Sequence, residues 1–376
     1  MAEPDLFNPG SANVKLDGTV VSVQANYYWV KLNPVAGASL PCDSLLCTRR
    51  ARLKKMGQRV MVGDRVRIEE PDWEGNRGAI TAIEPRQSSL DRPPVANANQ
   101  ILLVFALAEP ELDPHQLTRF LIKAELTGLD VCLCLNKRDL LDADAQTAWR
   151  DRLMNWGYSP IMTSVRYDED LSDIQQALQN RITVVAGPSG VGKSSLINQL
   201  VPNAHLRVST VSGKLGRGRH TTRHVELFEL TSGGLIADTP GFNQPDISCS
   251  PAVLGTCFPE IRRFVEGSEC QFSDCLHRGE PGCAVPSNWE RYAAYLELLE
   301  TSQEQTQTTN DAPDPEAAFK IKVSSDGQMQ QEPLLQAKKY RRSSRRSRRQ
   351  MLQDLRYELT NNRGNLEALG EEDLDA

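Results

Sequence analysis

No apolar run in this chain approaches the ~20 residues that a membrane-spanning helix requires. The longest, ILLVFALA at 101–108, has the length of a buried strand. The first residues, MAEPDLFNPG, lack both the basic start and apolar stretch of a secretion signal and the Arg and Ser richness of a transit peptide. The expectation is a cytoplasmic protein that does not enter a membrane. A disulfide framework is also missing. Nine cysteines are an odd number, and a reducing compartment favours burial or metal binding over cross-links. Cys132 and Cys134 alternate with Val131, Leu133 and Leu135 as small apolar groups of a strand, while Cys42, Cys47, Cys249 and Cys257 have no partners at ligand spacing. No internal repeat is evident.

What is present is length enough for several modules, since single cores stop growing near ~250 residues and the chain has 376. A net charge of −6 hides basic blocks. Asp43 to Arg67 holds eight Lys or Arg against two acids, and Asn203 to Val225 holds five with three His and no acid. A third block, KKYRRSSRRSRR at 338–349, precedes the acidic end EALGEEDLDA. Such blocks read either as solvated faces or tails or, beside the nucleotide-binding motifs described below, as a footprint for an RNA partner.

The patterning divides the chain. From 14 to 84, GTVVSV, YYWVKL, RVMVGDRVRI and GAITAIEP alternate apolar and polar positions between Gly and Pro, predicting a small β-barrel of the oligonucleotide-binding (OB-fold) kind. Its Tyr27, Tyr28 and Trp29 are candidates either for stacking on bases or for the core. From 87 to 247, strands at 101–107, 131–135, 159–163, 181–186 and 234–238 alternate with helical stripes. Leu117, Phe120, Leu121 and Ala124 form one stripe, and Leu171, Ile174 and Leu178 another, predicting an α/β domain with a parallel sheet. A small α module with Cys and His occupies 250–300, and a disordered basic and acidic tail is expected over 301–376.

The chemistry concentrates in four short motifs. GPSGVGKSS comprises Gly187, Pro188, Ser189, Gly190, Val191, Gly192, Lys193, Ser194 and Ser195, between the apolar strand RITVVA and the helical SLINQL. That context makes it a phosphate-binding loop: its glycines let successive N–H groups face phosphate oxygens, Lys193 neutralises the β and γ phosphates, and Ser194 ligates Mg²⁺. NKRD, Asn136, Lys137, Arg138 and Asp139, follows the strand VCLCL. Asp139 can accept two hydrogen bonds from guanine N1 and N2, a donor pair adenine lacks; Asn136 can reach the purine's other edge, and the Lys137 stem can lie across the ring. DTPG at 238–241 supplies Asp238 for Mg²⁺ through water and the Gly241 N–H for the γ phosphate. TSV at 163–165 offers Ser164 as support for the base, against an ordinary strand-end turn.

In conventional order the phosphate loop precedes NKxD; here NKRD comes first. Because a doubly wound sheet gathers its ligand at the carboxyl ends of several strands, chain order is secondary. Joining the ends of an ordinary G domain and cutting it between DTPG and NKxD yields the present order, with the helix at 170–179 as the splice. A separate cluster, CQFSDCLHRGEPGC, provides Cys270, Cys275, His277 and Cys283, a set suited to one tetrahedral Zn²⁺ with Pro281-Gly282 turning the chain back. Four protein ligands leave no open position, so the ion would be structural; redox-active or unpaired thiols are the other reading.

Over about residues 14–300 the sequence closely resembles the RsgA/YjeQ family of circularly permuted GTPases, on NKRD, GPSGVGKSS, GRGRHTT, DTPG and the Cys/His spacing. The resemblance implies a GTPase of small ribosomal subunit biogenesis, with GTP and GDP, the small ribosomal subunit and its rRNA as partners, Mg²⁺ with GTP and one structural Zn²⁺, acting as a monomer. The residue after DTPG is Phe242, where many GTPases place a water-orienting glutamine, so hydrolysis is expected to depend on something further. In GRGRHTT at 216–222, Thr221 or Thr222 is a candidate Mg²⁺ ligand and His220 resembles the family's proposed catalytic histidine, against a loop that merely binds RNA phosphates. In the family the small subunit stimulates hydrolysis. The alternatives are an rRNA-binding factor that senses GTP against GDP with little turnover, and an ATP-dependent nucleic-acid enzyme, which Asp139 disfavours. DTPG also leads within a few residues into the Cys/His module, so a nucleotide-driven lever there is a further expectation.

Overall fold

The computed structural model describes residues 16–35, 39–167, 171–201, 225–238, 247–311, 319–323 and 329–333. At the amino-terminal side, five strands close on themselves: β1 (Leu16–Gln24), β2 (Tyr27–Leu32), β3 (Ser44–Arg49), β4 (Arg65–Asp72) and β5 (Arg77–Ile83), with the short helix α1 (Ala51–Lys55) between β3 and β4. β1 pairs antiparallel with β2 and with β4, and β3 pairs in parallel with β5, giving the closed order β1-β2-β3-β5-β4 of an OB-fold barrel. Alternation does the work. Val20, Val30, Leu45, Cys47, Ile68 and Ile80 point inward and are buried. A bulge between Val20 and Ser22 lets β1 serve two partners, since Leu16–Thr19 pair with β4 while Ser22 pairs beyond the barrel.

A hairpin of β6 (Ser89–Asp91) and β7 (Pro94–Ala96) leads into the second domain. This contains β8 (Gln100–Ala106), α2 (Pro114–Glu125), β9 (Asp130–Asn136), α3 (Ala143–Trp156), β10 (Ile161–Met162), α4 (Ser172–Leu178), β11 (Ile182–Ala186), α5 (Lys193–Leu200), β12 (Glu226–Glu229) and β13 (Leu235–Asp238). The strand order is β10-β9-β8-β11-β13-β12, parallel throughout except β12. Every residue of β8 and β11 is buried, because helices cover both faces. α2 and α3 pack on one face through Leu117, Phe120, Leu121, Leu153 and Trp156. α4 and α5 pack on the other through Leu171, Ile174, Leu178, Leu196 and Ile197.

Two of these elements had no forecast in the sequence. α3 buries only Leu153 and Trp156, too sparse a stripe to register as amphipathic. β12 is four residues, ELFE, and adds an antiparallel strand to a sheet expected to be parallel.

The third module holds α6 (Pro251–Thr256), α7 (Pro259–Gly267) and α8 (Tyr292–Asp311). Leu254, Phe258, Ile261, Tyr295 and Leu299 form its core together with Ile122 of α2. α8 runs past the boundary expected at 300, and within the stretch expected to be a disordered tail, β14 (Phe319–Val323) pairs antiparallel with β15 (Met329–Pro333). Residues from Gln307 onward form a separate unit. Among the described residues no helix is long and apolar enough to cross a membrane.

Candidate nucleotide site and metal centre

β9 and β11 are separated in the sheet by β8 alone, so their carboxyl ends bring NKRD and the glycine-rich loop together. The joint between them is Asn136, which is buried. Its Nδ2 donates to the Val191 carbonyl at 2.8 Å, and its Oδ1 accepts from the Val165 N–H at 3.1 Å. One side chain thus ties the NKRD, phosphate and TSV loops. Both polar ends of Asn136 bond to protein, and the second proton of its Nδ2 remains for the purine edge expected from sequence. Gly192 (φ 99°) sits against that amide, and a Cβ there would collide with it. Gly187 (φ 136°) likewise leaves no room for a Cβ beside the Val104 carbonyl.

The glycine-rich loop opens α5, whose amino-terminal residue is Lys193. Lys193 Nζ folds back to donate to the carbonyls of Gly187 at 2.9 Å and Pro188 at 2.5 Å. Ser189 and Gly190 are exposed, Pro188, Ser194 and Ser195 are half-buried, and Val191 is buried under the loop. The positive end of α5 lies at this loop, which suits an anion.

Asp139 is exposed, on a 3-10 turn spanning Arg138–Leu140. The Ser164 hydroxyl donates to Asp139 Oδ1, and the Arg138 N–H donates to the Thr163 carbonyl at 3.2 Å. Ser164 is itself buried and so holds the carboxylate from beneath. Lys137 adopts the left-handed conformation (φ 60°, ψ 38°), and its ammonium donates to the Glu109 carbonyl. Asp238 ends β13, its backbone paired with Glu226. His220, Thr221, Thr222 and Gly241 lie outside the described residues, as does Phe242.

The Cys/His cluster is compact. His277 Nδ1 lies 3.6 Å from Cys270 Sγ, 3.7 Å from Cys275 Sγ and 3.5 Å from Cys283 Sγ, and all four ligand atoms fall within 4.8 Å of one another. A tetrahedron with Zn–S near 2.3 Å and Zn–N near 2.05 Å has N···S edges of about 3.6 Å. The donor set fits zinc in chemistry and in spacing. The loop is built for it: Gly282 (φ 75°) turns the chain, Glu280 accepts the N–H groups of Leu276 at 3.2 Å and Arg278 at 2.6 Å, and Tyr295 Oη donates to the Leu276 carbonyl at 2.5 Å. Burial holds His277 below the usual histidine range, keeping the imidazole neutral as a ligand must be. Burial, with the Cys283 and Cys270 thiols beside it, pushes Cys275 up to about 12, so ion uptake would have to displace protons.

On the barrel, alternation separates the three aromatics. Tyr28 is buried in the core, whereas Tyr27 and Trp29 are 54% and 38% exposed and available to stack. The α1 region presents exposed Arg52, Lys54, Lys55 and Arg59. The remaining cysteines are free thiols; burial pushes Cys47 up to about 12 and Cys132 and Cys257 up to about 11, as expected of small apolar groups.

The model of the RsgA GTPase family matches residues 83–248. A protein of Trichormus variabilis named small ribosomal subunit biogenesis GTPase RsgA is 58% identical over 359 residues, covering 91% of this chain and 97% of its own. The crystal structure of YloQ, a circularly permuted GTPase, aligns with a TM-score of 0.65 at 31% identity, covering 79% of this chain and 98% of that one. The crystal structure of YjeQ from Thermotoga maritima aligns with a TM-score of 0.64 at 29% identity, covering 77% and 99%.

Proposed function

The chain belongs to the RsgA family of GTPases, and on that footing we propose that it binds the small ribosomal subunit through rRNA, assists its late maturation, and is released when hydrolysis, stimulated by the subunit, is complete. It is a P-loop GTPase, converting GTP and water to GDP and phosphate. The reading places a cytoplasmic monomer on the particle. One observation carries it: the Asn136 amide bonded to the Val191 carbonyl, which makes a single pocket of two loops that stand in reversed order along the chain.

Each residue then has a task. Asp139, steadied by Ser164, accepts the guanine N1–H and N2–H. Lys137, drawn toward the Glu109 carbonyl, lays its stem along the base. The N–H groups from Ser189 to Ser194 wrap the phosphates, and Lys193 exchanges the carbonyls of Gly187 and Pro188 for β and γ oxygens. Mg²⁺, for which Ser194 and Asp238 are the proposed holders, would neutralise charge on those oxygens. With Phe242 in the place of a glutamine, water must be oriented by another group; His220 is assigned that part when the small subunit is bound, with Thr221 or Thr222 as a further Mg²⁺ ligand. Exposed Tyr27 and Trp29 and the basic α1 region support rRNA binding by the barrel.

Phosphate release measured with GTP or ATP, alone and with small subunits, large subunits or naked RNA, tests this. The expected result is GTP turnover raised by small subunits only, and lost in Lys193→Ala. Binding without stimulation would replace the reading with a GTP- and GDP-sensing rRNA-binding factor. Equal use of ATP would reject it.

A further inference from the structure

A carboxylate that reads guanine must be held in one place, yet Asp139 is exposed and rides on a turn of three residues. Ser164 fixes the side chain, and the backbone bonds of the turn, Arg138 N–H to the Thr163 carbonyl at 3.2 Å, Leu140 N–H to the Lys137 carbonyl at 3.1 Å and Leu141 N–H to the Arg138 carbonyl at 3.2 Å, are all near the long end of the useful range. Support comes from α3. Gln146 Nε2 donates to the Arg138 carbonyl at 2.9 Å and to the Leu141 carbonyl at 3.0 Å. A primary amide nitrogen has two protons, and both are spent on carbonyls that bracket Asp139, one residue before it and two after.

α3 is a firm base for that reach. Asp142 caps its first turn by accepting the Ala145 N–H at 2.8 Å, and near its far end Trp156 Nε1 and Arg152 Nε donate to Glu290 at 2.7 and 2.6 Å. Gln146 is half-buried, so its amide is partly shielded from competing water.

We propose that Gln146 is a positioning residue for guanine recognition, clamping the Arg138–Leu140 turn so that the Asp139 carboxylate meets the base edge. The inference rests on Asp139 being the guanine reader. It assigns to α3 a part in base specificity that the NKRD motif does not contain.

The test uses the full chain and the pair GDP and IDP, which differ only by the exocyclic amine that Asp139 would accept. Affinities are measured by displacement of a fluorescent GDP analogue, with thermal melting in parallel. Gln146→Met keeps the length but removes both donors, and Gln146→Glu keeps the shape but sets a charge against two carbonyls. The expected result is GDP affinity about tenfold lower for Gln146→Met and lower again for Gln146→Glu, a smaller loss for IDP, which keeps the N1–H but lacks the amine, and unchanged melting. The GDP to IDP ratio therefore falls. A ratio unchanged within about twofold in both variants would overturn the proposal, as would parallel losses of GDP, IDP and melting temperature, which mark a merely structural role. A wild-type chain that binds GDP and IDP alike would instead reject Asp139 as the guanine reader, a failure visible before any variant is made.

Discussion

Where the nucleotide domain meets the Cys/His module, charged and aromatic side chains interlock; where it meets the barrel, backbone pairing and small apolar side chains dominate. At the first junction the Arg291 guanidinium, 3% exposed, donates to Glu260 through Nε at 2.7 Å and through Nη2. It lies over the rings of Trp156 at 4.7 Å, Phe258 at 5.0 Å and Tyr158 at 5.7 Å. Glu290 receives Arg152 and Trp156, and Glu125 receives Arg262 at 2.8 Å and Tyr158 at 3.0 Å. At the second junction Ser22 pairs with Glu226 and Val62 bridges to Val95, over an apolar layer that includes Val62, Val95, Val184, Leu227 and Ala237. Among the described residues its one buried charge is Asp64, which accepts from Arg86 Nε at 2.7 Å and from the Met61 N–H at 2.7 Å.

The two junctions also touch different parts of the proposed nucleotide site. The Cys/His module rests on α2 and α3, and α3 follows directly on the turn proposed to read guanine. The barrel rests on β12, which pairs with β13, the strand that runs into DTPG. The lever expected from sequence pointed from DTPG to the Cys/His module. Residues 239–246, which join them, lie outside the described residues, but any such lever would work against an interlocked contact.

The comparison breaks or sharpens at three points. Glu260→Ala strands the Arg291 charge inside its aromatic cage and should cost about 3–5 kcal/mol, read as a lower melting temperature; a loss below about 1 kcal/mol would mean that the cage, not the pair, holds the junction. Arg86→Ala should cost less, about 2 kcal/mol, because Arg86 is already partly in water even though Asp64 is not. A larger loss than that of Glu260→Ala would reverse the ranking of the two junctions.

The smallest effect is alkaline. Cys47 in the barrel core and Cys257 in the third module's core have folded pKa values raised by burial to about 12 and about 11, from 9.0. The unfolded chain therefore ionises first, and stability present below pH 9 falls as pH rises from 9 through those values. Melting scans from pH 8 to 10 should show the fall, and Cys47→Ala and Cys257→Ala should each flatten it by a similar amount, since both folded values lie above that range. A slope unchanged in both variants would show that these thiols do not govern the alkaline loss.

The glycine-rich loop and the Cys/His cluster were legible in the sequence because each is a local pattern: a glycine run must curl between a strand and a helix, and Cys270, Cys275, His277 and Cys283 share a single loop. Helices with dense stripes, such as Leu117, Phe120, Leu121 and Ala124, were legible for the same reason. α3, with two buried positions, was not, and with it went Gln146 and the Glu290 contacts. β12 was too short to announce itself. Tyr27, Tyr28 and Trp29 read alike until the barrel closed and put only Tyr28 inside.

By itself the sequence determined which residue types and spacings suit phosphate, guanine and metal, since those chemistries depend on spacing within a few residues. Only the tertiary structure decided that Asn136 would spend its amide on Val191 and Val165, that Arg291 would be buried beside Glu260, and which module would brace which end of the site. Such contacts join positions dozens of residues apart, and nothing local in a chain specifies which distant carbonyl or carboxylate a side chain will meet once the sheet has formed.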